Sequence, residues 1–214
     1  MKKTSFKEWL EKIAEKEGLK IKVRFTKDDY TARVRKDGTM EIPECLFDKI
    51  FTSEERKAIG AHEIAHLKYR HYEREEKWRD KKFLLLFFVL SLTLLPLAIG
   101  LTLLGFDGTL STVVIIGALF AVVIQFSRQV LPQYFHLKRS HELEADKYAA
   151  ETVGPAPQIS YFEKSDRLVE EWRKKGLRWR LTIWYRKKTH PSKSERIERL
   201  KLRETIKKFK ETEA

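Results

Sequence analysis

Apolar and polar positions along this chain fall into three regimes. In the first, Phe6, Trp9, Leu10, Ile13 and Ala14 recur at helical spacing between Ser5 and Glu17, which predicts an amphipathic helix. Leu19 to Phe25 alternates apolar and basic residues as a strand does, and Tyr30 to Arg35 does so more weakly. Lys36-Asp37-Gly38 reads as a hairpin turn, with Thr39 to Ile42 as the returning strand, closed by Pro43. Ser53, followed by Glu54 and Glu55, reads as an N-cap with an acidic first turn, and its helix is expected to run to about Lys82.

The second regime is almost purely apolar. Phe83 to Leu104 gives 22 residues, about 33 Å of helix against a hydrocarbon core of about 30 Å. Leu110 to Phe126 gives 17, near the short limit, and extends to Leu131 if Arg128 snorkels. Gly105 to Thr109 is a tight turn by composition, and Pro96 predicts a kink without forbidding a span. The third regime returns to charged helices. Lys138 to Val153 is stopped by Gly154-Pro155, two segments follow near 160–175 and 177–187, and a last helix begins after Pro191.

Charge sharpens this division. Lys plus Arg number 44 against 31 Asp plus Glu, a net charge of +13 in 214 residues. Only Asp107 among these lies between Phe83 and Phe126, which argues against one soluble globule and for membrane spans over a buried helical hairpin. Residues 67–82 carry seven Lys or Arg, residues 127–139 carry three, and the turn carries none. The positive-inside rule therefore predicts two spans in the cytoplasmic membrane, with both termini cytosolic and the turn outside. The expected domains are 1–82, the transmembrane hairpin 83–126 and 127–214. The N-terminus has basic residues without an apolar run behind them, unlike a signal peptide. The lone Cys45 cannot form an intramolecular disulfide and reads as a packing residue.

The chemistry concentrates in His62-Glu63-Ile64-Ala65-His66. Histidines at i and i+4 share a helix face and can bind one zinc ion. Glu63 lies about 100° round the helix, close enough to take a proton from a water polarised by the metal. Catalytic zinc needs a third protein ligand, and the richest source is Arg139-Ser140-His141-Glu142-Leu143-Glu144-Ala145-Asp146. Glu142 and Asp146 share a helix face there, with His141 and Glu144 as rivals. A helical membrane hairpin between the two stretches returns the chain to the side it left. His71, five residues past His66, falls off the ligand face of a continuous helix and reads as a boundary residue. Leu177 to Tyr185 mixes basic residues with Trp179 and Trp184; it reads equally as an interfacial helix or as a segment packed within the cytosolic part.

Taken together these motifs resemble the HtpX-like and CAAX-prenyl-endopeptidase family of membrane-embedded zinc peptidases. AHEIAH at 61–66 is similar to its zinc helix, and RSHELEAD at 139–146 to its second motif helix. Thr189-His190-Pro191 with Glu195-Arg196-Ile197 and Leu200 is similar to its C-terminal element. The resemblance covers roughly 30–200 and implies a mainly helical α+β, zincin-type domain with a small hairpin sheet and an inserted transmembrane hairpin. It implies one zinc per chain on His62, His66 and Glu142, with Glu63 as general base and Asp146 orienting a histidine. Arg139 and Arg196 are implied to brace the site carboxylates, and His190 to donate to the oxyanion. The hairpin at 30–42 stands where the family holds peptide substrate.

Departures accompany the likeness. No span precedes the zinc helix, as expected of a reduced member; YTARVR lacks the asparagine often found in that strand, and Lys138 replaces a serine. The implied partners are polypeptide substrate and the lipid bilayer, without nucleic acid, and the oligomeric state is open. The implied role is quality control of membrane proteins or, alternatively, processing of lipidated substrates. The net charge itself motivates a rival of another class, a membrane-anchored module binding nucleic acid or anionic lipid.

Overall fold

The computed structural model describes residues 1–27, 32–48, 50–173 and 176–212, apart from the side chains of 166–173, 178, 179, 207 and 210–212. The chain divides into two compact units. One joins Met1–Glu73 to Lys138–Ala214, and the other is Arg74–Leu137.

The first unit opens with α1 (Lys3–Lys16), whose Phe6, Leu10 and Ala14 are fully buried. Gly18, at φ 68°, stops it. Its N–H returns to Glu15 C=O and the Leu19 N–H to Ala14 C=O, the paired bonds of a glycine-terminated helix. Leu19 is thereby spent on the helix stop, and the strand expected from that residue starts later, as β1 (Lys22–Thr26). β2 (Arg33–Val34) and β3 (Thr39–Pro43) form the expected antiparallel pair, Arg33 opposite Glu41 and Val34 opposite Met40. Gly38 makes the turn at φ 80°, where a Cβ would lie 2.5 Å from the Lys20 carbonyl oxygen. β1 runs parallel to β3 on its far side, so the order is β1-β3-β2 with β2 at an edge. The first part of the strand expected from Tyr30 lies outside the described residues.

Helix α2 (Ser53–Lys68) is capped by Thr52, one residue before the expected Ser53. Thr52 Oγ1 accepts from the Glu55 N–H, and the Glu55 carboxylate accepts from the Thr52 N–H at 2.8 Å, a reciprocal capping box. The helix does not continue to Lys82. It ends at Tyr69, and Arg70 takes a left-handed φ of 52° before α3 (His71–Leu103) begins. Helix α4 (Gly108–Val153) is followed by α5 (Pro155–Arg173), α6 (Leu177–Thr189) and α7 (Lys193–Thr212). Phe6, Leu10, Met40, Ile42, Ile64, Ala145 and Ala149 belong to one buried cluster that joins α1, the sheet, α2 and the C-terminal part of α4.

The second unit holds the apolar stretches of α3 and α4. Both helices are long and apolar enough to cross a membrane, and only 6% and 0% of their most apolar windows are buried. A buried hairpin inside a soluble core would show the opposite. Asp107 Oδ1 accepts from the Leu110 N–H at 2.8 Å and caps α4, with Gly105 at φ 72° in the turn. The fold is the expected mainly helical α+β class.

Candidate active site

Helix α2 presents His62 and His66 one turn apart, and the C-terminal part of α4 presents Glu142 and Asp146 one turn apart. The two helix faces meet. His62 Nε2 lies 3.2 Å from His66 Nε2 and 3.4 Å from Glu142 Oε2, and His66 Nε2 lies 3.8 Å from Glu142 Oε1. Ligands about 2.1 Å from a tetrahedral zinc stand about 3.4 Å from one another. The three side chains fit one zinc ion in spacing and in kind, two imidazole nitrogens and a carboxylate.

Hydrogen bonds behind the candidate ligands aim them. His62 Nδ1 meets Asp146 Oδ1 at 3.0 Å; with the proton on Nδ1 donated to that carboxylate, Nε2 turns toward Glu142. Asp146 is held in turn by Arg196, whose Nε donates to Oδ2 at 2.6 Å and Nη2 to Oδ1 at 2.5 Å, and by Gln158 Nε2 at 2.6 Å. Burial alone would raise the Asp146 carboxyl, but Arg196 and His62 override it and hold it below its usual range. Burial would also raise Glu142, which His62 and Arg196 keep well below the ordinary carboxylate value. Both acids are anions ready for a cation.

The second ligand has a support that sequence spacing missed. His66 Nδ1 lies 2.8 Å from His71 Nδ1, and His71 Nε2 lies 3.0 Å from Glu144 Oε2. A proton on His71 Nε2 bonds Glu144, so His71 Nδ1 accepts from the His66 Nδ1–H and the His66 Nε2 lone pair faces the site. The buried His71 also stacks on His141, ring centroids 4.2 Å apart and 3° from parallel. The reading of His71 as a boundary residue is therefore corrected. It assumed an unbroken helix, whereas the left-handed Arg70 swings His71 back toward His66. Glu144 and His141, the rivals for the third ligand, sit around His71 instead.

Arg139 also departs from expectation. Its Nη2 donates to Glu195 Oε2 at 3.0 Å, whereas Arg196 makes the direct bonds to a site carboxylate. The Arg196 side chain is only 12% exposed, its guanidinium 4.2 Å from the Phe162 ring centroid and 3.7 Å from Glu142.

Glu63 lies on α2 beside the ligands and is tied to the sheet edge. Arg35 N–H donates to Thr39 C=O, so by strand alternation the Val34 backbone groups point away from β3. The Val34 carbonyl accepts from the Tyr72 hydroxyl, and the Val34 N–H helps to stabilise the Glu63 carboxylate. Burial and the neighbouring Glu142 charge push Glu63 up to about 7, against the opposing pull of His62 and Arg186. A carboxyl poised near neutrality is suited to taking and returning a proton.

His190 caps the C-terminus of α6, its Nε2 3.4 Å from Glu142 Oε1. Thr189 Oγ1 donates to Tyr185 C=O at 3.0 Å and so accepts from His190 Nδ1, 2.9 Å away. Burial, helped by Arg186 and Arg196, lowers His190 to about 4 in spite of Glu142. The ring is neutral, and donation to an oxyanion requires its proton on Nε2.

With this geometry in place, the comparison with known families is decisive: residues 6–204 match the profile of peptidase family M48. The chain belongs to peptidase family M48. The match spans both units and includes every residue of the site. It makes the protein a peptidase of a zinc-dependent family. No curated protein matches the chain.

Proposed function

We propose that this M48 peptidase is a membrane-integrated zinc endopeptidase that cleaves polypeptides at the cytosolic membrane face. The observation that carries this reading is the meeting of His62, His66 and Glu142 beside Glu63, with anionic carboxylates behind the ligands. A zinc ion held there supplies Lewis-acid polarisation of water and of the peptide carbonyl. Glu63 takes the proton of the attacking water on its carboxylate and returns it to the leaving amine. Arg196 and Gln158 fix Asp146, and Asp146 fixes the His62 ring. His190 donates to the oxyanion once its Nε2 carries a proton, which negative charge developing on the carbonyl oxygen favours.

Substrate lies as an extended strand beside β2 and competes with Glu63 and Tyr72 for the outward groups of Val34. Backbone pairing of that kind reads shape more than side chains, so recognition is weakly sequence-specific. This favours removal of damaged membrane proteins over processing of one lipidated terminus.

Glu63→Gln tests the mechanism. It should retain zinc and fold while turnover on a casein-type substrate falls about 10²–10⁴-fold. Turnover near wild type would sink the assignment. Parallel digestion of an unfolded membrane protein and a prenylated peptide separates the two substrate readings, and cleavage of the prenylated peptide alone would reverse the preference.

A further inference from the structure

Helix α6 carries five Lys or Arg and no acidic residue in 13 positions. Leu177, Leu181, Trp184 and Tyr185 recur at i, i+4, i+7 and i+8 and therefore share one face. That face is open: the four are 73%, 59%, 58% and 43% exposed, while Ile183 on the other side of the helix is buried. Arg180 and Lys188, both exposed, flank the stripe. Four large apolar side chains on three turns of a helix that has cations and no acid are poorly suited to water and well suited to the boundary between headgroups and acyl chains. There Trp and Tyr rings sit at headgroup level, Leu enters the acyl region, and Lys and Arg reach phosphates. Each cation is drawn to an anionic surface, and the helix holds no acid to offset it. The same chain contains two helices able to cross a bilayer, which keeps a lipid surface at high local concentration.

We infer that α6 lies in the plane of an anionic bilayer surface, with Leu177, Leu181, Trp184 and Tyr185 inserted at the headgroup boundary. The inference rests on the peptidase reading for its consequence. Helix α6 ends at Thr189, and its cap His190 reaches Glu142, so an α6 seated on lipid holds the rim of the cleft at the membrane surface. Polypeptide emerging from, or lying on, the bilayer is then the substrate class that meets the cleft first.

Depth-dependent quenching tests the placement on the full chain. Cys45 is the sole cysteine, so Cys45→Ser gives a clean background for an environment-sensitive nitrobenzoxadiazole label at Leu181→Cys or Trp184→Cys. A label at Glu8→Cys, exposed on α1, serves as the reference. The proteins are reconstituted in phosphatidylcholine nanodiscs, with or without phosphatidylglycerol, containing doxyl-labelled lipid. The labels at 181 and 184 should lose most of their fluorescence, more with phosphatidylglycerol than without, and the label at 8 should keep its own. Quenching at 181 and 184 no stronger than at 8 overturns the inference. Protection from aqueous iodide without lipid quenching overturns it too, by showing that protein, such as a second copy, covers the face. Repeating the measurement on Glu63→Gln separates the two readings, because lipid contact does not depend on turnover.

Discussion

His71 shows how much of a metal site can hang on one backbone angle. Arg70 at φ 52° turns the chain, and His71 Nδ1 arrives 2.8 Å from His66 Nδ1. Each candidate ligand histidine thus leans on a carboxylate, His62 directly on Asp146 and His66 through His71 on Glu144. The two supports differ in strength. Asp146 is buried and bonded to Arg196 and Gln158, whereas the Glu144 side chain is 36% exposed. Asp146→Asn should therefore weaken zinc about 10–100-fold, and Glu144→Gln should weaken it less. Glu142→Ala should exceed both. Competition with a fluorescent chelator ranks the three, and Glu144→Gln at the level of Glu142→Ala would make Glu144 the ligand. The residue chemistry of the HEXXH helix was legible because i, i+4 spacing dictates a shared face. The His71 support was not, because its spacing has meaning only after the helix is broken.

Helix α2 owes its position to contacts at both ends of its first three turns, and each invites a test. Glu55 is 2% exposed, yet its carboxylate accepts from the Thr52 N–H, from Lys164 Nζ at 2.6 Å and from Ser160 Oγ, tying the start of α2 to α5. Burial alone would raise this carboxyl; Lys164, Ser160 and Thr52 lower it below its usual value. A depressed carboxyl contributes stability that is complete above its unfolded value, about 4.5, and is lost as pH falls through the lower folded value. Glu55→Gln should cost about 1–3 kcal/mol near neutral pH and flatten the acid limb of a melting-temperature profile. An unchanged limb would remove the capping box from the account. One turn further on, a Cβ on Gly60 would stand 2.5 Å from Leu10 Cδ2 and 3.2 Å from the Phe6 ring. Gly60→Ala should overpack the contact between α1 and α2 by about 1–3 kcal/mol, read from the denaturant midpoint.

At this scale α1, the Gly38 turn and the apolar stretches were readable from periodicity, composition and glycine, whereas the break between α2 and α3 was not. The parallel pairing of β1 with β3 was not, since alternation tells which face is buried and nothing about which neighbour a strand takes. The cap of α2 shifted by one residue because Thr52 and Ser53 offer the same hydroxyl. Arg196 outranks Arg139 at the site for a related reason: both are arginines near a motif, and only packing against Phe162 and Asp146 distinguishes them.

For the whole molecule, charge and apolar length combine into a topology. Seven Lys or Arg lie in residues 67–82 and three in residues 127–139, while Gly105 to Thr109 has none. Short flanking segments obey the positive-inside rule most strictly, so the proposed topology puts both flanks on the cytosolic side and the turn outside. The two sets of ligands lie on opposite sides of this hairpin in sequence, His62 and His66 before it and Glu142 after it. If both apolar helices span a bilayer, these residues meet only where the hairpin returns the chain to the side it left. A single span, or three, would leave the ligands on opposite faces of the bilayer, and the 3.4 Å approach of His62 to Glu142 could not form. A cysteine placed at Asp107 in a Cys45→Ser background should react with an impermeant maleimide on intact cells. Cysteines at Lys2 and at Thr205 should react only after the membrane is broken. Labelling of either terminal cysteine from outside would contradict the charge argument. Labelling of one terminus alone would also separate the zinc ligands, and the peptidase site would have to be rebuilt from other residues.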